Sequence, residues 1–165
     1  MRVNLPVVDE PFPYPRGMSL VSTTDLKGRI TYCNPAFVHV SGYTRDELLG
    51  QPHNMIRHPD MPEEAFRDMW SAIQAGRPWS GLVKNRRKDG RHYWVRANVT
   101  PLMQGSEPVG FMSVRTEPEA TEIDGATRLY AQMRAETESG ARTVGLHNGR
   151  VVRLGWRGKV SDLTY

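Results

Sequence analysis

An α+β domain is predicted, with one five-stranded antiparallel sheet and short helices packed on one of its faces. Strand-like patterns fall in two groups, two before residue 34 and three after residue 78, with helical patterns between them. Twelve prolines and fifteen glycines punctuate the chain, which suits short strands and turns better than a helical bundle. With 165 residues, 38% hydrophobic and 24% charged, the chain can bury one core and still carry extensions.

Residues 1–18 are proline-rich and without periodicity, and read as a flexible or draped N-terminal arm. In SLVSTTDLKGRITYCN two short strands meet at Lys27-Gly28, where glycine supplies the permissive turn residue. Asn34-Pro35 opens the helix PAFVHVS, with Asn34 as cap and Pro35 at the first helical position; Gly42 ends it. Thr44 and Glu47 have capping-box spacing for the short helix RDELL, which stops at Gly50. Glu63 and Glu64 sit in the first turn of PEEAFRDMWSAIQAG, where negative charge favours the helix dipole. Phe66, Met69, Trp70 and Ile73 give that helix one apolar face. WSGLVKNRR and RHYWVRANVTPLM form a hairpin about KDG, and PVGFMSVRT is the last strand of a sheet domain spanning 19–117. Residues 118–140 predict a connector helix or dimer contact, with Ile123, Ala126, Tyr130 and Met133 on one stripe. The tail 141–165 carries Arg142, Arg150, Arg153, Arg157 and Lys159, a set that either stays solvated or lies near a membrane surface.

The net charge is +4, but no long Lys/Arg run concentrates it, so a solvated surface is expected and nucleic acid is not. Cys33 is the only cysteine, which leaves no internal disulfide and favours a reducing compartment. Neither a signal peptide nor an apolar run near the roughly 20 residues of a membrane span is present, so a soluble cytoplasmic chain is expected. No nucleotide-binding glycine fingerprint or nucleophile–base pair suggests an enzyme.

Two stretches carry candidate chemistry. In WSGLVKN, strand alternation places Trp79, Gly81, Val83 and Asn85 on one face, which the apolar members mark as buried. A buried amide needs partners, either a backbone group in a neighbouring turn or a planar ligand with donor and acceptor atoms. Gly81 leaves room for a ring or another backbone, and Trp79 is either a core piece or a stacking surface with an N–H donor. Tyr93, Val95, Ala97 and Val99 form the facing apolar row; Trp70 either closes a pocket or fills the core, with core filling preferred.

The second stretch is HNMIRHPDMP, from His53 to Pro62. His53 and His58 are five apart, not the four of a helical zinc pair, and no further cluster supports a metal. His58-Pro59-Asp60 matches the J-domain tripeptide, but that unit is all-helical and strands flank this region. A ligand clamp fits better: Arg57 can grip a phosphate bidentately and His58 can donate to a phosphate or sugar oxygen. Asp60 caps the next helix, accepts from a sugar hydroxyl, or orients His58.

DLKGRITYCNPAFVHVSGYTRDELLG and RRKDGRHYWV resemble PAS sensor domains, through Asp25, Gly28, Ile30, Asn34, Ala36, Phe37, Ser41, Gly42, Tyr43, Glu47, Leu48 and Gly50. GQPHNMIRHPDMP, PWSGLVKNRRKDGRHYWVRANVTP, GFMSVRT and the tail GRVVRLGWRGK resemble, more narrowly, the FAD-binding PAS domain of bacterial aerotaxis receptors. The resemblance implies a PAS fold and non-covalently bound FAD whose redox state is reported to a chemotaxis kinase. It also implies a larger, dimeric receptor with a membrane anchor, a HAMP segment and a signalling region. The flavin ring edge offers N5, O4 and N3 to Asn85, with Trp79 beside it; Arg57, His58 and Asp60 support FAD binding, and His53 lies nearer the ring. Asn34 and Trp70 complete the candidate cofactor contacts.

Other ligands compete with this expectation. A haem-binding gas sensor would draw on His39, His53 or His58. A blue-light receptor needs a cysteine on the helix beside the ring, whereas Cys33 ends the second strand. A ligand-free PAS interaction module is the remaining alternative.

Overall fold

The computed structural model describes residues 3–140, 142–154 and 160–162. Strands β1 (Leu20–Thr24), β2 (Ile30–Cys33), β3 (Trp79–Arg86), β4 (His92–Gln104) and β5 (Glu107–Thr116) form one sheet in the order β2-β1-β5-β4-β3. All four pairings are antiparallel, as the patterning predicts. The central strand is therefore β5, the last of the five in sequence. Its register sets Arg115 opposite Leu20 on one side and Ala97 on the other, and Ser113 opposite Ser22 and Val99.

Helices α1 (Pro35–Ser41), α2 (Arg45–Leu48) and α3 (Glu63–Gln74) occupy the long connection from β2 to β3. The local signals act as read. The Asn34 carboxamide accepts from Phe37 N–H at 2.9 Å, Gly42 closes α1 at φ 75°, and Thr44 with Glu47 forms a complete capping box. Leu20, Ile30, Phe37, Val40, Leu48, Ile73 and Val95 bury together between these helices and one face of the sheet.

The expected connector is α4 (Ala120–Ser139), and it joins the domain rather than leaving it. Its predicted stripe is buried at Ala126, Tyr130 and Met133. Tyr130 Oη donates to the Leu82 carbonyl at 2.6 Å, and its ring stacks on Trp94, which points away from the short helices. Both faces of the sheet are thus covered near β3, the reason Leu82 is buried as well as its neighbours.

The N-terminal arm is draped. It pairs with the β3–β4 hairpin through Val8 N–H to Gly90 O (2.9 Å) and Phe12 N–H to His92 O (2.8 Å). Asn4 donates both amide hydrogens, to Asn54 O and Arg57 O at 2.9 Å each. In the tail, β6 (Val144–His147) and β7 (Arg150–Leu154) form a hairpin, and β7 pairs with β8 (Val160–Asp162). Asp68 on α3 holds the hairpin tip, accepting from Asn148 and Gly149 N–H at 2.8 and 2.7 Å. Arg142 pairs with Glu64 at 3.0 Å, so this part of the basic tail is docked, not solvated. Arg157 and Lys159 lie outside the described residues. No described helix is long and apolar enough to cross a membrane.

Candidate functional site

A cavity of about 610 Å³ opens between α3 and the inner face of the sheet. That volume falls in the ordinary range for small-molecule sites. Its sheet wall is Val83, Asn85, Ala97, Val99, Phe111 and Ser113. Trp70, Met69 and Phe66 form the helical wall, and a single 3-10 turn, His53–Ile56, closes one end. Lys27 and Leu26 stand exposed at the rim, in the β1–β2 turn.

Asn85 is 3% exposed, and its carboxamide makes no hydrogen bond to another described residue. Buried amides are rarely left so, and this one faces open volume. Three cations, Lys27, Arg57 and Arg115, line the cavity with no carboxylate among its lining residues. The Arg57 guanidinium lies 3.7 Å over the Phe66 ring, and its buried Nε has no partner. Burial lowers the Arg57 pKa from its ordinary value, partly offset by Glu63 nearby. Arg115 is 3% exposed and donates to Ser22 Oγ (2.7 Å), to His53 Nε2 (2.6 Å) and, longer, to the Leu20 carbonyl (3.4 Å). Burial and then the Arg115 charge push the His53 pKa down to about 3, so the ring is neutral and accepts through Nε2. Desolvation lowers Arg115 itself to about 10, which still leaves it charged at neutral pH.

Four of the sequence candidates therefore meet at one cavity: His53, Arg57, Trp70 and Asn85. Trp70 is a cavity wall, its ring edge-on to Phe111 at 5.5 Å, rather than the core filler preferred from the sequence. The other four lie elsewhere. Residues 57–58 run beside β3, with Arg57 bridged to Asn85, so successive side chains point to opposite sides. Arg57 faces the cavity; His58 is buried on the far side, its Nδ1 accepting from Asp60 N–H at 3.0 Å and its ring edge-on to His92. Asp60 pairs with Lys84 at 2.9 Å, away from the cavity, and receives Arg134 at its carbonyl. It does not cap α3, which starts at Glu63 with Pro62 in the cap position. Trp79 fills the space that Gly81 leaves, so that room serves a neighbouring indole and not a ligand; its Nε1–H donates to Asp68 at 2.8 Å. Asn34 spends its amide on Phe37, Val21 and Ser19, a capping and tethering role only.

Sequence reasoning missed Arg115, Ser113 and Phe111. The period-two alternation of GFMSVRT places all three on one face, and that signal was present. It also missed Asn4, whose contacts lie 50 and 53 residues away and leave no local trace. Of the histidines proposed for haem, only His53 reaches the cavity, and its Nε2 is engaged by Ser22 and Arg115. His39 packs edge-on to Phe12, and Cys33 is buried at the end of β2, away from the cavity lining.

The family model for the PAS fold matches residues 30–115, just over half the chain. The chain belongs to the PAS family. This PAS domain is 50% identical over 160 residues to the aerotaxis receptor of Escherichia coli (strain K12), across 97% of this chain and 29% of that relative. The chain thus spans under a third of the length of that receptor. Among solved structures it is similar to the PAS domain of a Colwellia psychrerythraea protein, at 26% identity and a TM-score of 0.56, covering 61% of this chain and 86% of that one. The fold is also that of the blue-light photoreceptor Aureochrome1 LOV, at 22% identity and a TM-score of 0.59, covering 70% of this chain and 91% of that one.

Proposed function

We propose that this PAS domain is the redox sensor of an aerotaxis receptor, binding FAD non-covalently and reporting its redox state towards a chemotaxis kinase. The observation that carries this reading is the buried, unpartnered Asn85 carboxamide facing a cavity with three cations and no acid. An amide presents a donor and an acceptor together, which matches the alternating polar edge of an isoalloxazine. Arg57 and Lys27 suit a pyrophosphate, and Trp70 with Phe66 suits a flat apolar ring. FAD supplies a reversible two-electron couple when bound; this chain's residues hold it, shield it and respond to its charge. The aerotaxis-receptor context rests on the relatedness to the E. coli receptor; a HAMP and signalling region, a dimer and a tail near the membrane are what the sequence resemblance implies, and no catalysis by the domain is invoked.

The test is flavin retention. Arg57→Ala should weaken FAD retention at least tenfold, whereas Asn85→Ser should keep FAD but shift its redox behaviour. Full flavin occupancy in Arg57→Ala would remove Arg57 from the binding role. A Soret band in the purified protein would replace FAD with haem.

A further inference from the structure

Arg115 is the most deeply buried charge in the cavity, next to last in the central strand β5, and every group it touches is neutral. Its partners are a serine hydroxyl, an uncharged imidazole, a backbone carbonyl and the Phe37 ring, 4.9 Å from the guanidinium carbon. No carboxylate among the described residues pairs with it. Burying a cation without a counter-charge is costly, and such groups concentrate where a ligand's charge completes them. Its neighbour across the register is the small Ala97, which lines the cavity with it. Lys27, at the rim, and Arg57, beside Asn85 and stacked on Phe66, are a separate group, suited to a phosphate tail.

We propose that Arg115 is a positioning residue for redox sensing: its fixed charge favours a bound ring that is negatively charged and so raises the reduction potential of the flavin. This rests on the flavin reading above. Two electrons from dithionite and one proton from water would turn the neutral oxidised ring into an anion, the dithionite being oxidised to sulfite, and no bond to the protein forms or breaks. A cation facing the ring at low dielectric stabilises that product over the neutral starting form.

The experiment uses the full chain loaded with FAD and reduced slowly by dithionite against a reference dye. Arg115→Met should keep its flavin absorbance, yet its reduced-to-oxidised ratio at a fixed dye potential should fall at least tenfold. For a two-electron couple that is about 30 mV. Ser113→Asp, which sets a carboxylate two residues away on the same face, should lower the ratio similarly by neutralising the charge in place. Arg115→Lys, which keeps the charge, should stay within threefold of the parent. Should Arg115→Met lose its fold or its flavin, Ser113→Asp and Arg115→Lys decide the matter. An unchanged ratio in Ser113→Asp, or an equal fall in Arg115→Met and Arg115→Lys, would overturn the proposal and leave Arg115 as a tether to β1. A parent protein that takes up no flavin refutes the flavin reading itself, a result distinct from either.

Discussion

Asn85 is the inward-facing polar group of β3 in the cavity wall. Its amide makes no hydrogen bond among the described residues and opens onto the cavity, leaving a donor and an acceptor together for a ligand edge. Asn85→Leu, which removes both donor and acceptor, should abolish FAD retention; full retention would take Asn85 out of the binding role. The buried histidines give a pH dependence of definite sign. Desolvation pushes His53 down to about 3 and His58 down to about 4, Lys84 adding to the latter. The unfolded chain binds these two protons near pH 6.5, whereas the folded protein resists them. Stability is thus complete above about pH 6.5 and falls as the pH drops towards 4, by up to about 1.4 kcal/mol per unit for each histidine. Urea midpoints at pH 7.5, 6.5, 5.5 and 4.5 measure this, and His58→Gln should flatten the slope.

The free edge of β3 is closed by two segments that the sequence did not place there. Residues 57–61 bridge it, with His58 N–H reaching Lys84 O and Met61 Sδ lying 3.3 Å from Lys84 N, and α4 reaches it through Tyr130. Covering an edge removes a template for unwanted pairing. Tyr130→Phe should cost about 1 kcal/mol, the net value of one hydrogen bond, and loosen α4 as read by amide exchange. Asn4→Ala should cost about 1–3 kcal/mol and speed FAD release, because Asn4 pins the turn that carries His53 and Arg57. Unchanged release would show that the turn holds its shape without the arm. Local physics was legible here: the Asn34 cap, the Thr44–Glu47 box and the β3 alternation all follow from nearest-neighbour chemistry. What was not legible depended on long-range partners. Alternation alone gave the inward face of Trp79 but not that Asp68 holds its indole. Residues 57–60 carried the right residue types for a clamp, yet pairing beside β3 turned His58 and Asp60 away and left Arg57 to face the cavity alone.

A single rigid sheet connects the cavity to its opposite face. Asn85 on β3 and Arg115 on β5 look inward, while Lys84 on β3 and Trp94 on β4 look outward to Asp60 and Tyr130. A change of charge in the cavity therefore meets α4 across one strand thickness, and the tail hairpin is pinned to the same helix α3 that walls the cavity. Bound FAD should stabilise the fold by RT ln(1 + [L]/Kd), about 2.7 kcal/mol at a hundredfold excess over Kd, so the melting temperature should climb with added FAD. The most direct measurement is the absorbance spectrum of the purified protein before and after dithionite. A yellow protein with flavin absorbance that bleaches on reduction is the result predicted; a colourless protein that takes up no added FAD would contradict it.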